Sequence, residues 1–167
     1  MAVREDRTFE KVVIGLIAIA GVLFAYGWAT RDDPAEKPYL KIAGGGFVYN
    51  YRVADVFYGF TAYVMKPLPI GSWLIAEFED PDGGPPMSVE TRLHARSVRY
   101  GVRSPSIRGV MAGKPYHVSI GLYNRTRTKL LWAGEKDFVS QLDDTVVPDK
   151  PLVIGPGYHP NPELGGS

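Results

Sequence analysis

The sequence predicts an N-terminal single transmembrane α-helix followed by an all-β antiparallel sandwich. Three observations carry that reading. An uncharged apolar run lies near the N-terminus, a series of short alternating segments follows it, and turn residues separate those segments. The chain has 167 residues, enough for one globular domain beside an anchor but not for two large domains. Ten Tyr, seven Phe and three Trp can fill a core and exclude a disordered composition. With no cysteine there is no disulfide scaffold, thiolate metal site, cysteine nucleophile or lipid-modified N-terminal cysteine. Nineteen Lys+Arg balance 18 Asp+Glu, which argues against nucleic acid as a partner.

A short leader spans 1–11, read as cytoplasmic. Val12 to Thr30 then gives 19 residues without a charge, bracketed by Lys11 and Arg31. At about 1.5 Å per helical residue this run crosses the hydrocarbon core of a bilayer, roughly 30 Å thick. Tyr26 and Trp28 stand at its C-terminal end, where amphipathic rings favour the membrane interface. A cleavable signal peptide is the main alternative, since Ala25-Tyr26-Gly27 and Gly27-Trp28-Ala29 are small-x-small patterns. The run is longer than a signal-peptide core, and the leader carries Glu5, Asp6 and Glu10. A buried core helix is disfavoured, because no polar face recurs at helical period. Basic residues tie on the two sides: Arg4, Arg7 and Lys11 before, Arg31, Lys37 and Lys41 after. The short leader and long C-terminal part resemble a signal-anchor. The expected location is therefore the cytoplasmic (inner) membrane, single-pass, with the domain in the periplasm or outside. Gly21, Ala25 and Ala29 recur every four residues and give the helix one small face for packing on another membrane helix.

Residues 31–46 read as a linker, with Pro34 and Pro38 in a charged spacer and Gly44-Gly45-Gly46 as a turn. Neither that run nor Ala112-Gly113-Lys114 has the ending of a phosphate loop, and both read as turns. The sandwich is expected over 47–155, with strands at Phe47–Arg52, Val56–Lys66, Trp73–Glu79, Met87–Arg96, Val98–Arg103, Tyr116–Asn124 and Lys129–Val139. Met87, Val89, Thr91, Leu93 and Ala95 alternate with Ser88, Glu90, Arg92, His94 and Arg96, so the first set faces a core. The apolar phase then slips to Val98, Tyr100 and Val102, which requires a bulge or a break between strands. Leu152-Val153-Ile154 offers one more edge strand, and 156–167 reads as an irregular tail.

Val110 to Val118, an apolar residue and a turn followed by Tyr116, is similar to the corner before the penultimate strand of an immunoglobulin or fibronectin type III sandwich. There the tyrosine hydroxyl bonds back to the corner backbone. Trp73, leading an apolar strand, resembles the core tryptophan of that family. The resemblance implies architecture and no function.

Charge is unevenly distributed. Pro67 to Thr91 has five acids and no base, Arg92 to Gly134 has nine bases and no acid, and Glu135 to Lys150 has five acids and two bases. Cross-strand pairing is one explanation, and a basic surface for anionic lipid headgroups or an acidic partner is the other. Seven aromatics crowd residues 47 to 63, more than one strand face can bury. Interface candidates are therefore Tyr49, Tyr51, Tyr58 and Phe60, with Arg92, Arg96 and Arg99. His94, His117 and His159 show no metal-ligand spacing, and no nucleophile elbow is present, so no cofactor, metal or catalytic residue is expected. Asn124-Arg125-Thr126 has the form of a glycosylation sequon. The preferred reading is a membrane-anchored accessory or assembly subunit that binds a membrane or envelope protein. A tethered small-ligand sensor or carrier is the alternative, and an anchored enzyme is the third.

Overall fold

The computed structural model describes residues 3–31, 37–94 and 96–164. Residues 32–36 of the expected linker, Ala95 and the last residues of the tail lie outside these. The chain divides into two compact units, residues 1–37 and 38–167.

The first unit is helix α1, Val3–Ala29, so the helix begins well before the apolar run. Phe9–Ala29, with mean hydropathy 2.2, is long and apolar enough to cross a membrane. Gly21, Ala25 and Ala29 are exposed along it. The helix stops where the Thr30 N–H and hydroxyl both donate to the Tyr26 carbonyl. Arg31 then sits 5.8 Å from the centre of the Trp28 ring.

The second unit is a sandwich of seven main strands: β1 Leu40–Asn50, β2 Asp55–Val64, β3 Trp73–Phe78, β4 Met87–Arg92, β5 Arg99–Arg103, β6 Pro115–Tyr123 and β7 Leu130–Val139. One sheet has the order β1-β2-β5 and the other β4-β3-β6-β7, and every pairing is antiparallel. A small hairpin, β8 Val153–Ile154 with β9 His159–Pro160, follows. The extra apolar strand thus pairs within the tail instead of extending a main sheet. Asn161 pins that tail, because its buried amide donates to the Pro151 carbonyl at 2.8 Å.

The strand phases explain the core. Val56, Tyr58, Phe60 and Ala62 of β2 face Leu74, Ala76 and Phe78 of β3 and Tyr116, Val118, Ile120 and Leu122 of β6. Rings dominate the contact: Tyr58 stacks on Phe47 at 4.8 Å and meets Phe78 edge-on at 5.1 Å. The Tyr58 hydroxyl donates to the Glu79 carbonyl across the sandwich at 2.7 Å. At the corner before β6, the Met111 N–H donates to the Tyr116 hydroxyl at 2.8 Å, as the resemblance implies.

Two expectations change, and one alternative left open is settled. Gly44-Gly45-Gly46 is not a turn in a linker but the middle of β1, which starts at Leu40. A side chain on Gly45 would strike the Gly59 carbonyl, the Phe60 backbone and the Phe138 ring, so this strand passes only as glycine. The phase slip after Arg96 is a break: β4 ends at Arg92, Leu93 is buried, and the chain crosses to the other sheet. His94 and the Tyr100 hydroxyl clamp that crossover, the His94 N–H donating to the hydroxyl and the hydroxyl to the His94 carbonyl. Trp73 is not the core tryptophan. The phase of β3 turns it to the outer face, where Arg127 stacks 4.0 Å from its ring centre.

Two predictions follow from the core. Tyr116→Phe removes one hydrogen bond while keeping the ring, and should lower stability by about 1 kcal/mol in urea denaturation. An unchanged midpoint would show that the corner hydrogen bond is dispensable. Burial, helped by the Glu79 and Asp80 carboxylates, pushes the Tyr58 phenol well above its ordinary value of 10.0. The folded state therefore holds that proton more tightly than the unfolded chain. Its contribution is intact below about pH 10 and is lost as pH climbs further. Stability measured from about pH 8 to about pH 11 should fall more steeply in the wild type than in Tyr58→Phe. Equal slopes would refute this assignment.

Candidate functional site

The structure separates the expected interface residues. Tyr58 and Phe60 are core residues, because even-numbered positions of β2 point between the sheets, and neither reaches the surface. Tyr49 has a structural task. Its hydroxyl lies 2.5 Å from Ser140 Oγ and donates to the Leu142 carbonyl at 2.7 Å, fastening β1 to the chain beyond β7. Burial raises its phenol pKa. Tyr51 is exposed in the β1–β2 turn. Arg92, Arg96 and Arg99 are exposed but lie on β4, the crossover and β5 respectively, not on one strand face.

Two surfaces emerge that residue patterns alone did not assemble. The first is the outer face of the β1-β2-β5 sheet. Register places Gly46, Gly59 and Arg103 in one cross-strand row and Gly44, Thr61 and Gly101 in the next. The middle of the sheet therefore presents bare backbone. Val48, Phe57 and Arg103 bound it at one end, with the Arg103 guanidinium 4.9 Å above the Phe57 ring. Lys41, Tyr63 and Arg99 form the row at the other end. A depression of about 460 Å³ lies over Gly46, Gly59, Thr61 and Gly101 beside Val48, Phe57 and Arg103. Gly59 is required by the fold, since a side chain there would meet the Val102 carbonyl and the Arg103 backbone. Gly44, Gly46 and Gly101 are different: a side chain on any of them would meet nothing within 4 Å among the described residues, and none has positive φ.

The second surface is one pole of the sandwich. The chain enters the sandwich there: the Met65 N–H donates to the Tyr39 carbonyl, and Lys66 lies 4.2 Å from the Tyr39 ring centre. The loops after β2, β4 and β6 end at this same pole, where the Leu93 N–H donates to Ser72 and Arg92 and Arg125 pack beside Gly71. The loop sequences 65–72, 93–98 and 124–129 contain Lys66, Arg96, Arg125, Arg127 and Lys129 and no acid. Arg92 and Arg99 flank them. Arg127 pairs with Glu90 at 2.8 Å. The opposite pole carries Asp55, Glu79, Asp80, Asp82, Asp143 and Asp144, with Asp144 and Asp143 accepting the Gly109 and Ala112 N–H groups. The blocks of like charge are thus sorted mainly by pole, and cross-strand pairing explains only a few, such as Glu79 with Lys114 at 3.8 Å.

The three histidines lie on different elements. His94 is in the crossover, His159 is in β9, and His117 is on β6, where Nδ1 lies 2.8 Å from an Asp137 carboxylate oxygen. Among the described residues no group of three acidic or histidine side chains is placed to hold a metal. A second depression, about 450 Å³, lies on the outer face of the larger sheet over Ile75, Gly121 and Ala133, with Glu77 and Glu135 at its margin. Ser119 donates to Glu77 there at 3.4 Å. The sandwich interior is filled by Tyr58, Tyr116, Phe78 and their aliphatic neighbours. Compared with known proteins, the chain matches no family model and no curated protein.

Proposed function

We propose that this chain is a single-pass membrane protein whose sandwich, outside the cytoplasm, binds another membrane or envelope protein as an accessory or assembly subunit. The observation that carries the reading is the set of glycines on the outer face of β1 and β5 that the fold does not require. A glycine inside a strand is destabilising by roughly 0.5–1 kcal/mol, and often marks a close approach by another backbone. At Gly44, Gly46 and Gly101 none of the described residues makes that approach. A partner segment lying flat on the sheet supplies the reason. Phe57 and Val48 at one end and Tyr63 at the other give it apolar and aromatic edges to pack against. The helix holds the domain at the bilayer, which raises its effective concentration around a membrane-embedded partner.

Gly46→Val tests the reading directly. Valine suits a strand and has room, so the variant should fold at least as well as the wild type. A protein that co-purifies stoichiometrically with the wild-type chain from native membranes in mild detergent should be lost with Gly46→Val. Gly45→Ala, in contrast, should destabilise the domain itself. A partner retained at full stoichiometry by Gly46→Val, or a wild-type chain that comes through purification alone, would refute the bare face as a protein-binding surface.

A further inference from the structure

We infer that the basic pole of the sandwich docks on the anionic phospholipid surface of the membrane that holds the helix. This goes beyond the protein-binding reading and rests only on the anchor, not on the bare face. Four observations converge on it. The pole that carries Arg92, Arg96, Arg99, Arg125, Arg127 and Lys129 is the pole at which the chain enters the sandwich. Nine residue steps separate Ala29 from Pro38, so at most about 30 Å of chain lies between the helix and that pole. The acids of the sandwich loops are concentrated at the other end, in the loop after β3 and the segment after β7, while the loops at the tethered end carry bases and no acid, with Glu90 of β4 pairing Arg127 beside them.

The fourth observation separates a lipid surface from an acidic protein groove. Two of the loops at this pole end in exposed apolar side chains set among the cations. Ile70 is 83% exposed, the most of any large apolar residue of the sandwich, and Val98 is 69% exposed. Cations around isolated apolar tips match an interface with charged headgroups outside and acyl chains a few ångströms below. The cation–π stack of Arg127 on Trp73 and the packing of Arg125 and Arg92 beside Gly71 hold part of this basic surface in place. Arg96, Arg99, Arg125 and Lys129 have no ion-pair partner among the described residues, so their charge is available to headgroups.

The absence of native cysteine makes the test clean. Full-length Ile70→Cys, labelled with an environment-sensitive fluorophore, is placed in lipid nanodiscs of phosphatidylcholine alone or with about a third phosphatidylglycerol, each also made with brominated acyl chains. Met111→Cys, an exposed position in the segment between β5 and β6, is the control. Bromolipid quenching at position 70 should appear in anionic discs, be weak in neutral discs, and be absent at position 111. Each basic residue near such a surface contributes about fivefold in binding. Combining Arg96→Glu, Arg125→Glu and Lys129→Glu should therefore abolish the quenching, with unchanged near-ultraviolet circular dichroism showing that the fold survives. Ile70→Cys alone tests the idea even if the triple variant fails to fold. Equal quenching in neutral and anionic discs, or none in either, overturns the proposal. So does loss of a co-purifying acidic protein on charge reversal without any lipid quenching. Recovery of the chain in the disc fraction reports the anchor separately, and apart from their scaffold belt the discs hold no partner protein, so the bare-face reading stands or falls elsewhere.

Discussion

The phase of β2 governs the rest of the sandwich. Its even positions Val56, Tyr58, Phe60 and Ala62 are buried, and Tyr58, stacked on Phe47 of its own sheet, spans the gap between the sheets by meeting Phe78 edge-on and by donating to the Glu79 carbonyl. A one-residue slip in this strand would expose all four and bury Phe57, Gly59, Thr61 and Tyr63 instead. Because β1 and β5 both pair with β2, the same phase decides what they show to solvent. Gly44, Gly46 and Gly101 fall on the outer face because their cross-strand neighbours there are Thr61 and Gly59. The bare surface is thus the reverse side of the aromatic core.

Connectivity turns the linear charge blocks into a polar body. In a meandering antiparallel sandwich every second connection returns to the same end. The loops after β2, β4 and β6 share one pole with the start of β1, and the loops after β1, β3 and β5 share the other. The acidic Asp80–Asp82 loop and the basic loop at 124–129 therefore end at opposite poles although β3 and β6 lie side by side. Neighbouring basic and acidic strands do not exchange ladders of ion pairs, because the charges sit mainly in connections. A polar arrangement is less stabilising than full pairing, but surface pairs contribute little in any case. What it produces is a field with a direction along the long axis of the strands.

Much of the fold is legible in the residues because alternation at period two is plain in β2 to β6. All seven were locatable to within a few residues except β1, and Tyr116 marked its own corner. The failures have physical causes. Glycine carries no phase information, so Gly44-Gly45-Gly46 conceals the first half of β1, although its flanks Leu40, Ile42, Phe47 and Tyr49 are apolar. Trp73 is large and apolar, yet the neighbouring Leu74, Ala76 and Phe78 claim the inner face, and a tryptophan on the outside needs the cation–π partner that Arg127 brings from a distant loop. Tyr58 and Phe60 were candidates for the surface because seven aromatics exceed what one strand face holds. The excess is absorbed by two strands, with Phe47 and Tyr49 of β1 packing on the same core. Neither candidate surface was visible as a unit, since each gathers residues from three or more elements that only pairing register brings together.

The two surfaces share a corner, and that has a mechanical consequence. Lys41, Tyr63 and Arg99 close the bare face at the end where the chain enters, and Arg99 also belongs to the basic pole. If the pole rests on headgroups, the strands of β1, β2 and β5 rise from the bilayer, and the bare face becomes a wall standing beside the membrane. Such a wall is accessible to a segment that rises from the same bilayer, and less so to one that arrives by diffusion with arbitrary orientation. Docking at the pole would then remove rotational freedom of the sandwich before the partner binds. Preorganisation of that kind lowers the entropy lost on association without adding a contact. It also gives the three unforced glycines a context: a flat surface without side chains is most useful when the two partners already meet at a fixed height and angle, so that close backbone approach replaces the search for interlocking side chains.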